Sequence, residues 1–285
     1  MNLNINKRQD RVFVLACGKS CDVVDFLPFL KNEYVIAVSR WLFYDKFNFD
    51  FYFVNDAEKL IPIAHRHGGM DELKQFFSSD LIKWTRDADT DIKQFEKYNI
   101  TWGKHTYGTF PWNKIKWNLN HEHLLQPNGE MSVDKPSDHF MDTNFSRYEI
   151  PGTGHGTAAR CAIDLAYFLK FKTCYLMGID TFPMAGGGYS DHILDKAVVP
   201  ARKKTPYKRN IFWIQTMWKN RYSQYKGMKV RRVVPKEVFA LEKQESKNNP
   251  SILTRLGMFK NVLYEDLIED CPHVVDDINY HSYVP

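Results

Sequence analysis

Two glycine-bearing turns and one strand-end aspartate are the residues of this chain best suited to chemistry. Gly18-Lys19-Ser20 follows an apolar run, and Gly152-Thr153-Gly154-His155-Gly156-Thr157 opens a segment whose apolar residues recur at helical spacing. Backbone N–H groups at strand-to-helix turns attract anions, so each turn is a candidate phosphate cradle. Close packing of helix on sheet is the competing reason for glycine at both places. The first turn is no Walker loop, because Phe13 stands where that pattern needs its leading glycine. Asp180 closes the run Thr173-Cys174-Tyr175-Leu176-Met177-Gly178-Ile179-Asp180, at the strand end where open α/β sheets bind ligands. Its alternative role is a carboxylate that caps the following turn.

Three further groups carry potential chemistry. His155 and His192 flank glycine-rich stretches, and an imidazole that titrates near neutral pH serves as a general base, or is merely an exposed loop histidine. Asp87-Ala88-Asp89-Thr90-Asp91 offers the oxygen ligands a divalent cation prefers. No clear apolar strand precedes that cluster, so it reads as a solvated turn or a helix N-terminus, and no metal site is assigned. Gly186-Gly187-Gly188 is entropically costly to order and marks the stretch of about 182–206 as a lid, followed by the basic pair Lys208 and Arg209.

These residues need a scaffold that gathers them. Val12 to Cys17, Tyr34 to Val38 and Phe51 to Val54 are short uninterrupted apolar runs, the pattern of parallel strands covered on both faces, and the second and third end in Ser39 and Asn55. Asp71 to Phe77 reads as helix, and Leu81 to Trp84 and Asn99 to Trp102 as strands. Residues 106–150 are aromatic, proline-dotted and without sustained period, an irregular insert. A helix from 158, a strand from 173, a helix at about 210–224, a last strand at Val230 to Pro235 and a helical piece at Ile252 to Leu267 complete the reading. The expected fold is α/β: a Rossmann-like open, mostly parallel sheet with helices on both faces. Residues 1–240 form the nucleotide-binding domain, with its insert at about 106–150, and 241–285 a C-terminal helical extension.

Composition narrows the function. The 285 residues are 44% hydrophobic and 26% charged, which suits a folded protein rather than a disordered one. A net charge of +5 over this length is far from the dense basic stripes that hold a nucleic-acid backbone. Cysteines 17, 21, 161, 174 and 271 form no CxxC pair and leave one over, so neither a zinc ribbon nor a disulfide framework is expected. No apolar run reaches the roughly 18 residues of a membrane span, which leaves at most peripheral contact and favours the cytoplasm.

Ala16-Cys17-Gly18-Lys19-Ser20, Phe53-Val54-Asn55-Asp56 and the helix from Ala162 through Gly178-Ile179-Asp180 occur in a characteristic order. In this the chain resembles the bacterial sialyltransferases of glycosyltransferase family 42, with the Maf-type flagellin glycosyltransferases and hydroxymethylpterin pyrophosphokinase-like proteins as relatives. The resemblance covers about 11–60 and 150–235 and implies nucleotide binding at the strand ends, with a CMP-sugar in the sialyltransferases. It places Gly18 and Ser20 in the first nucleotide loop, Asn55 after the third strand, Gly156 and Thr157 on the second loop, and Gly178 at the strand-end glycine. Ser39 stands where the sialyltransferases have asparagine. Tyr189 lies near a tyrosine that supports the departing phosphate, while Phe182 lacks the hydroxyl of a second. Tyr207-Lys208-Arg209-Asn210 occupies the region of the family's catalytic histidine.

The expectation is therefore a glycosyltransferase using a nucleotide-activated sugar, a CMP-sialic-acid-like donor first, and a glycan or small-molecule acceptor. Tyr189, Lys208 or Arg209 would stabilise the leaving phosphate, and His192 or His155 would take the acceptor proton. No cofactor is required. The alternatives are pyrophosphoryl transfer to a small alcohol, with Mg²⁺ on acidic residues such as Asp56 and Asp180, and a non-catalytic nucleotide-binding protein.

Overall fold

Apolar runs that do not alternate need cover on both faces, and β1 (Arg11–Leu15), β2 (Tyr34–Val38) and β3 (Phe51–Val54) are buried at every residue. The computed structural model describes residues 7, 10–44, 49–54, 57–85, 88–101, 106–108, 158–180, 227–248 and 260–269. Among these, β4 (Ile82–Thr85), β5 (Thr106–Gly108), β6 (Thr173–Met177), β7 (Lys229–Val234) and β8 (Asn261–Leu263) complete an eight-stranded sheet of order β5-β4-β3-β2-β1-β6-β7-β8. Every pairing is parallel. The fold is an α/β, Rossmann-like open sheet, as the sequence led one to expect.

The period of two along each strand divides the core. Phe13, Leu15, Val35, Ala37, Tyr52 and Val54 meet α1 (Leu27–Leu30), α2 (Leu60–His67), α3 (Met70–Ser78) and α4 (Ala88–Glu96) on one face. Val12, Val14, Ile36, Val38, Phe51 and Phe53 meet α5 (Ala158–Phe168) on the other. The chain walks outward from β1 to β5, then returns to β6 on the other side of β1 and walks the opposite way. Right-handed crossovers put the helices of the two walks on opposite faces, which is why α5 lies across from α1 to α4.

Two local readings differ from the structure. Asn99 lies in a turn with φ of 54°, and the strand forms later, at Thr106–Gly108, inside the stretch read as insert. Val230 to Pro235 is not the last strand: Asn261–Leu263 adds an edge to the same sheet before the short helix α7 (Tyr264–Ile268). A three-residue strand is too short for periodicity to reveal. The helix α6 (Lys236–Ser246) runs through residue 240 and delivers the chain from β7 to β8.

Candidate functional site

Strand order fixes where a ligand can sit. The connections leaving β1 and entering β6 diverge to opposite faces, so a crevice opens outside the carboxyl ends of these two strands. There the chains stay paired beyond the sheet: Ala16 donates its N–H to the Met177 carbonyl and Gly18 to the Gly178 carbonyl, both at 2.9 Å. A Cβ on Gly18 would lie 2.4 Å from the Gly178 oxygen and 2.7 Å from Asp180 Oδ2. A Cβ on Gly178, whose φ is +69°, would lie 2.3 Å from the Ala16 oxygen. Each glycine exists here because the other backbone passes so close.

The lock holds Asp180 against the first turn. Its Oδ2 accepts the Ser20 N–H at 3.3 Å, while Oδ1 is closed off from water and has no hydrogen-bond partner among the described residues. Burial raises the Asp180 carboxyl above its usual range; bonding to Ser20 and the Arg232 charge oppose that rise, and Glu242 adds to it. Arg232 on β7 is fully buried, gives both terminal nitrogens to Glu242 at 2.8 and 2.6 Å, and donates Nε–H to the Ile179 carbonyl at 2.6 Å. A pocket between Ser20, Gly178, Val233 and Tyr264 has room for about one water molecule.

The neighbouring strand ends extend the rim. Ser39, just past β2, has a φ of 58°, and its carbonyl accepts the Tyr52 hydroxyl. Left-handed backbone at a non-glycine residue is strain that functional sites often store. Trp41 Nε1 donates to the Ala16 carbonyl at 2.9 Å, and the Cys17 thiol to the Val38 carbonyl at 3.4 Å. Burial pushes the Cys17 thiol up to about 11 and the Cys21 thiol well above its normal value, so neither supplies a thiolate at neutral pH. Next along, Asp91 in the first turn of α4 is buried, where Thr85 Oγ donates to it and the Glu58 N–H reaches Oδ1 at 3.2 Å. Burial, reinforced by the Glu58 carboxyl, raises Asp91 to about 8. The acidic cluster does begin a helix, but Asp91 is not solvated: it ties α4 to the ends of β3 and β4. Among the described residues no three Asp, Glu, His or Cys side chains come together as metal ligands.

Of the nucleotide-binding residues expected from sequence, Gly18, Ser20, Gly178 and Asp180 converge at this crevice, and Ser39 lies at the adjoining strand end. Asn55, Gly156, Thr157, His155, Tyr189, His192, Lys208 and Arg209 lie outside the described residues. Topology still places the start of α5. Its 11 residues span about 16 Å, the length of β6, and four residues join the two. Hence α5 runs back along the strands, and Ala158, directly after Thr157, sits at the carboxyl rim.

No family model matches the chain, and no curated protein does. Solved structures do. The α-2,3-sialyltransferase Cst-I from Campylobacter jejuni is 12% identical over 81% of this chain and 78% of its own, with a TM-score of 0.40. The sialyltransferase CstII from the same organism, in complex with cytidine-5'-monophosphate, is 16% identical over 78% and 79%, with a TM-score of 0.39. CstII with a trisaccharide acceptor and CMP gives 16% and 0.36. Scores below 0.5 fall short of demonstrating a common fold. Among the described residues no helix is long and apolar enough to cross a membrane.

Arg232 and Glu242 were missed by sequence reasoning. Arg231-Arg232 looks like the solvent side of an edge strand, and only the parity of Val230, Arg232 and Val234 marks Arg232 as inward. Nothing in the sequence indicates that Glu242, ten residues on, is its partner.

Proposed function

We propose that the chain is a glycosyltransferase that binds a nucleotide-activated sugar at the carboxyl ends of β1 and β6. One observation carries the reading: Asp180 Oδ1 is buried, with no donor among the described residues, at the topological switch point. A carboxylate oxygen left unsatisfied costs about 1–3 kcal/mol or more, and a ligand hydroxyl that donates to it recovers that cost. A ribose hydroxyl is a matching group, since it donates the hydrogen bond that a carboxylate oxygen accepts. Gly18 and Ser20 border the same crevice, and Gly156 and Thr157 precede the positive end of α5, which suits a phosphate.

The sequence resemblance supports a CMP-sialic-acid-like donor and a glycan or small-molecule acceptor. In this reading Tyr189, Lys208 and Arg209 balance the charge that develops on the leaving nucleotide phosphate as the sugar–phosphate bond breaks. His192 or His155 removes the acceptor hydroxyl proton as the new glycosidic bond forms. No metal is needed for these steps, and the chemistry takes place in the cytoplasm.

Thermal unfolding with CMP, UDP, GDP and ATP, each with and without Mg²⁺, tests the proposal, because a ligand of the folded state raises Tm. One nucleotide should stabilise the protein without Mg²⁺. Asp180→Asn should weaken that nucleotide about tenfold to a hundredfold, the worth of a hydrogen bond to a charged group. Wild-type affinity in Asp180→Asn refutes the assignment, and stabilisation that requires Mg²⁺ turns it toward pyrophosphoryl transfer.

A further inference from the structure

β7 carries a buried cation where the rest of its inner face is valine. Arg232 pairs in register with Leu176 of β6 and is 1% exposed; Glu242 on α6 is 0% exposed. Removing two charges from water costs as much as their attraction returns, and an apolar pair of equal volume often gives an equally stable or more stable protein. Stability is therefore a poor account of this pair. Its remaining bonds supply a better one. Besides Glu242, the guanidinium reaches Asn261 Oδ1 of β8 at 3.2 Å and the Ile179 carbonyl at 2.6 Å. No apolar side chain could hold that carbonyl.

We infer that Arg232, braced by Glu242 and Asn261, is the positioning residue that sets the direction in which Asp180 presents its unpartnered oxygen to a ligand hydroxyl. The inference rests on the nucleotide-binding reading above. The turn 178–180 is fixed at three points: Gly18 N–H on the Gly178 carbonyl, Arg232 Nε–H on the Ile179 carbonyl and Ser20 N–H on Asp180 Oδ2. The first and third anchor its two ends. The middle one acts directly on the peptide plane between Ile179 and Asp180, and so on the way the carboxylate leaves the backbone. Arginine suits the task because one rigid fork satisfies Glu242 with two nitrogens while the third points along the strand to Ile179; a lysine ammonium is a point charge without that geometry. Ile179 offers the carbonyl, and its side chain packs against the core on the α5 face.

The experiment uses the full chain and the double variant Arg232→Met/Glu242→Leu, with Asn261→Ala as a milder loosening of the brace. Three quantities are read: Tm, the amide NMR signals of Ser20 and Asp180 without ligand, and affinity for whichever of CMP, UDP, GDP or ATP the wild type binds most tightly. The apolar pair should unfold within a few degrees of wild type, with both amide signals displaced and nucleotide binding weakened by at least about tenfold. Asn261→Ala should displace the same signals by less, and it carries the test if the double variant does not fold. Unmoved Ser20 and Asp180 signals in a folded variant overturn the inference, as does unchanged affinity in a variant whose signals have moved. The amide signals need no ligand, so a wild type that binds none of the four nucleotides defeats the functional reading while these signals still decide the role of Arg232.

Discussion

Substituting alanine at Gly178 and at Gly68 separates backbone strain from backbone contact. Both glycines are left-handed, with φ of +69° and +71°, so alanine costs each about 1–2 kcal/mol of conformational strain. Gly68 ends α2 and has no heavy atom within 4 Å of its would-be Cβ, so strain is all it pays. At Gly178 the new methyl would stand 2.3 Å from the Ala16 oxygen and 2.7 Å from Cys21 Sγ. The first atom is backbone, and the second ends a short side chain that is itself buried. The strands must part, at about 1–3 kcal/mol for overpacking, and the 2.9 Å bond from Gly18 to Gly178 weakens, at about 1 kcal/mol. Gly178→Ala should therefore be about 2–4 kcal/mol less stable than Gly68→Ala, roughly 3–7 °C in Tm for a chain of this size. Urea titration with parallel thermal scans measures the difference. If the two variants unfold together, the crossing of β1 and β6 is looser than described, and the account of both site glycines falls with it.

Other consequences can be checked with the same assays. Glu33→Ala leaves buried Arg11 without the carboxylate that takes its Nε–H at 2.9 Å and should cost about 3–5 kcal/mol, whereas Arg11→Met/Glu33→Leu should come close to wild type; equal losses in both would discount the stranded charge. Asp91 binds a proton in the folded protein up to about pH 8 but in the unfolded chain only to about 4, so its contribution is complete below about pH 4 and is lost as pH rises to 8. Asp91→Asn should accordingly flatten the fall of Tm between pH 5 and 8, and slopes parallel to wild type would contradict the burial assigned to it. Tyr189→Phe should lower turnover more than nucleotide affinity; an unchanged rate removes Tyr189 from the reaction.

The central strands were legible because burial on both faces leaves a mark that needs no partner to interpret. Val12 to Leu15, Tyr34 to Val38 and Phe51 to Val54 admit hardly a polar residue, and a run of that kind fits a covered parallel strand and little else. Asp180 was legible for a related reason: a carboxylate placed directly after such a run stands at the rim of the sheet wherever the other strands go. What escaped the sequence depends on encounters between distant segments. Gly18 reads equally well as an anion-binding turn or a packing glycine until Gly178 is seen crossing it, and the structure shows the packing without removing Ser20 from the crevice. Asp91 looked solvated because no clear apolar strand precedes its cluster, and its burial follows from Thr85, at the end of β4, and Glu58, in the turn after β3, closing over it. Arg232 is the sharpest case. One position along β7 its side chain would be half exposed like that of Arg231, and only the sheet's parity, joined to a glutamate on the next helix, converts an ordinary surface cation into the group that holds the backbone beside the candidate ligand-binding carboxylate.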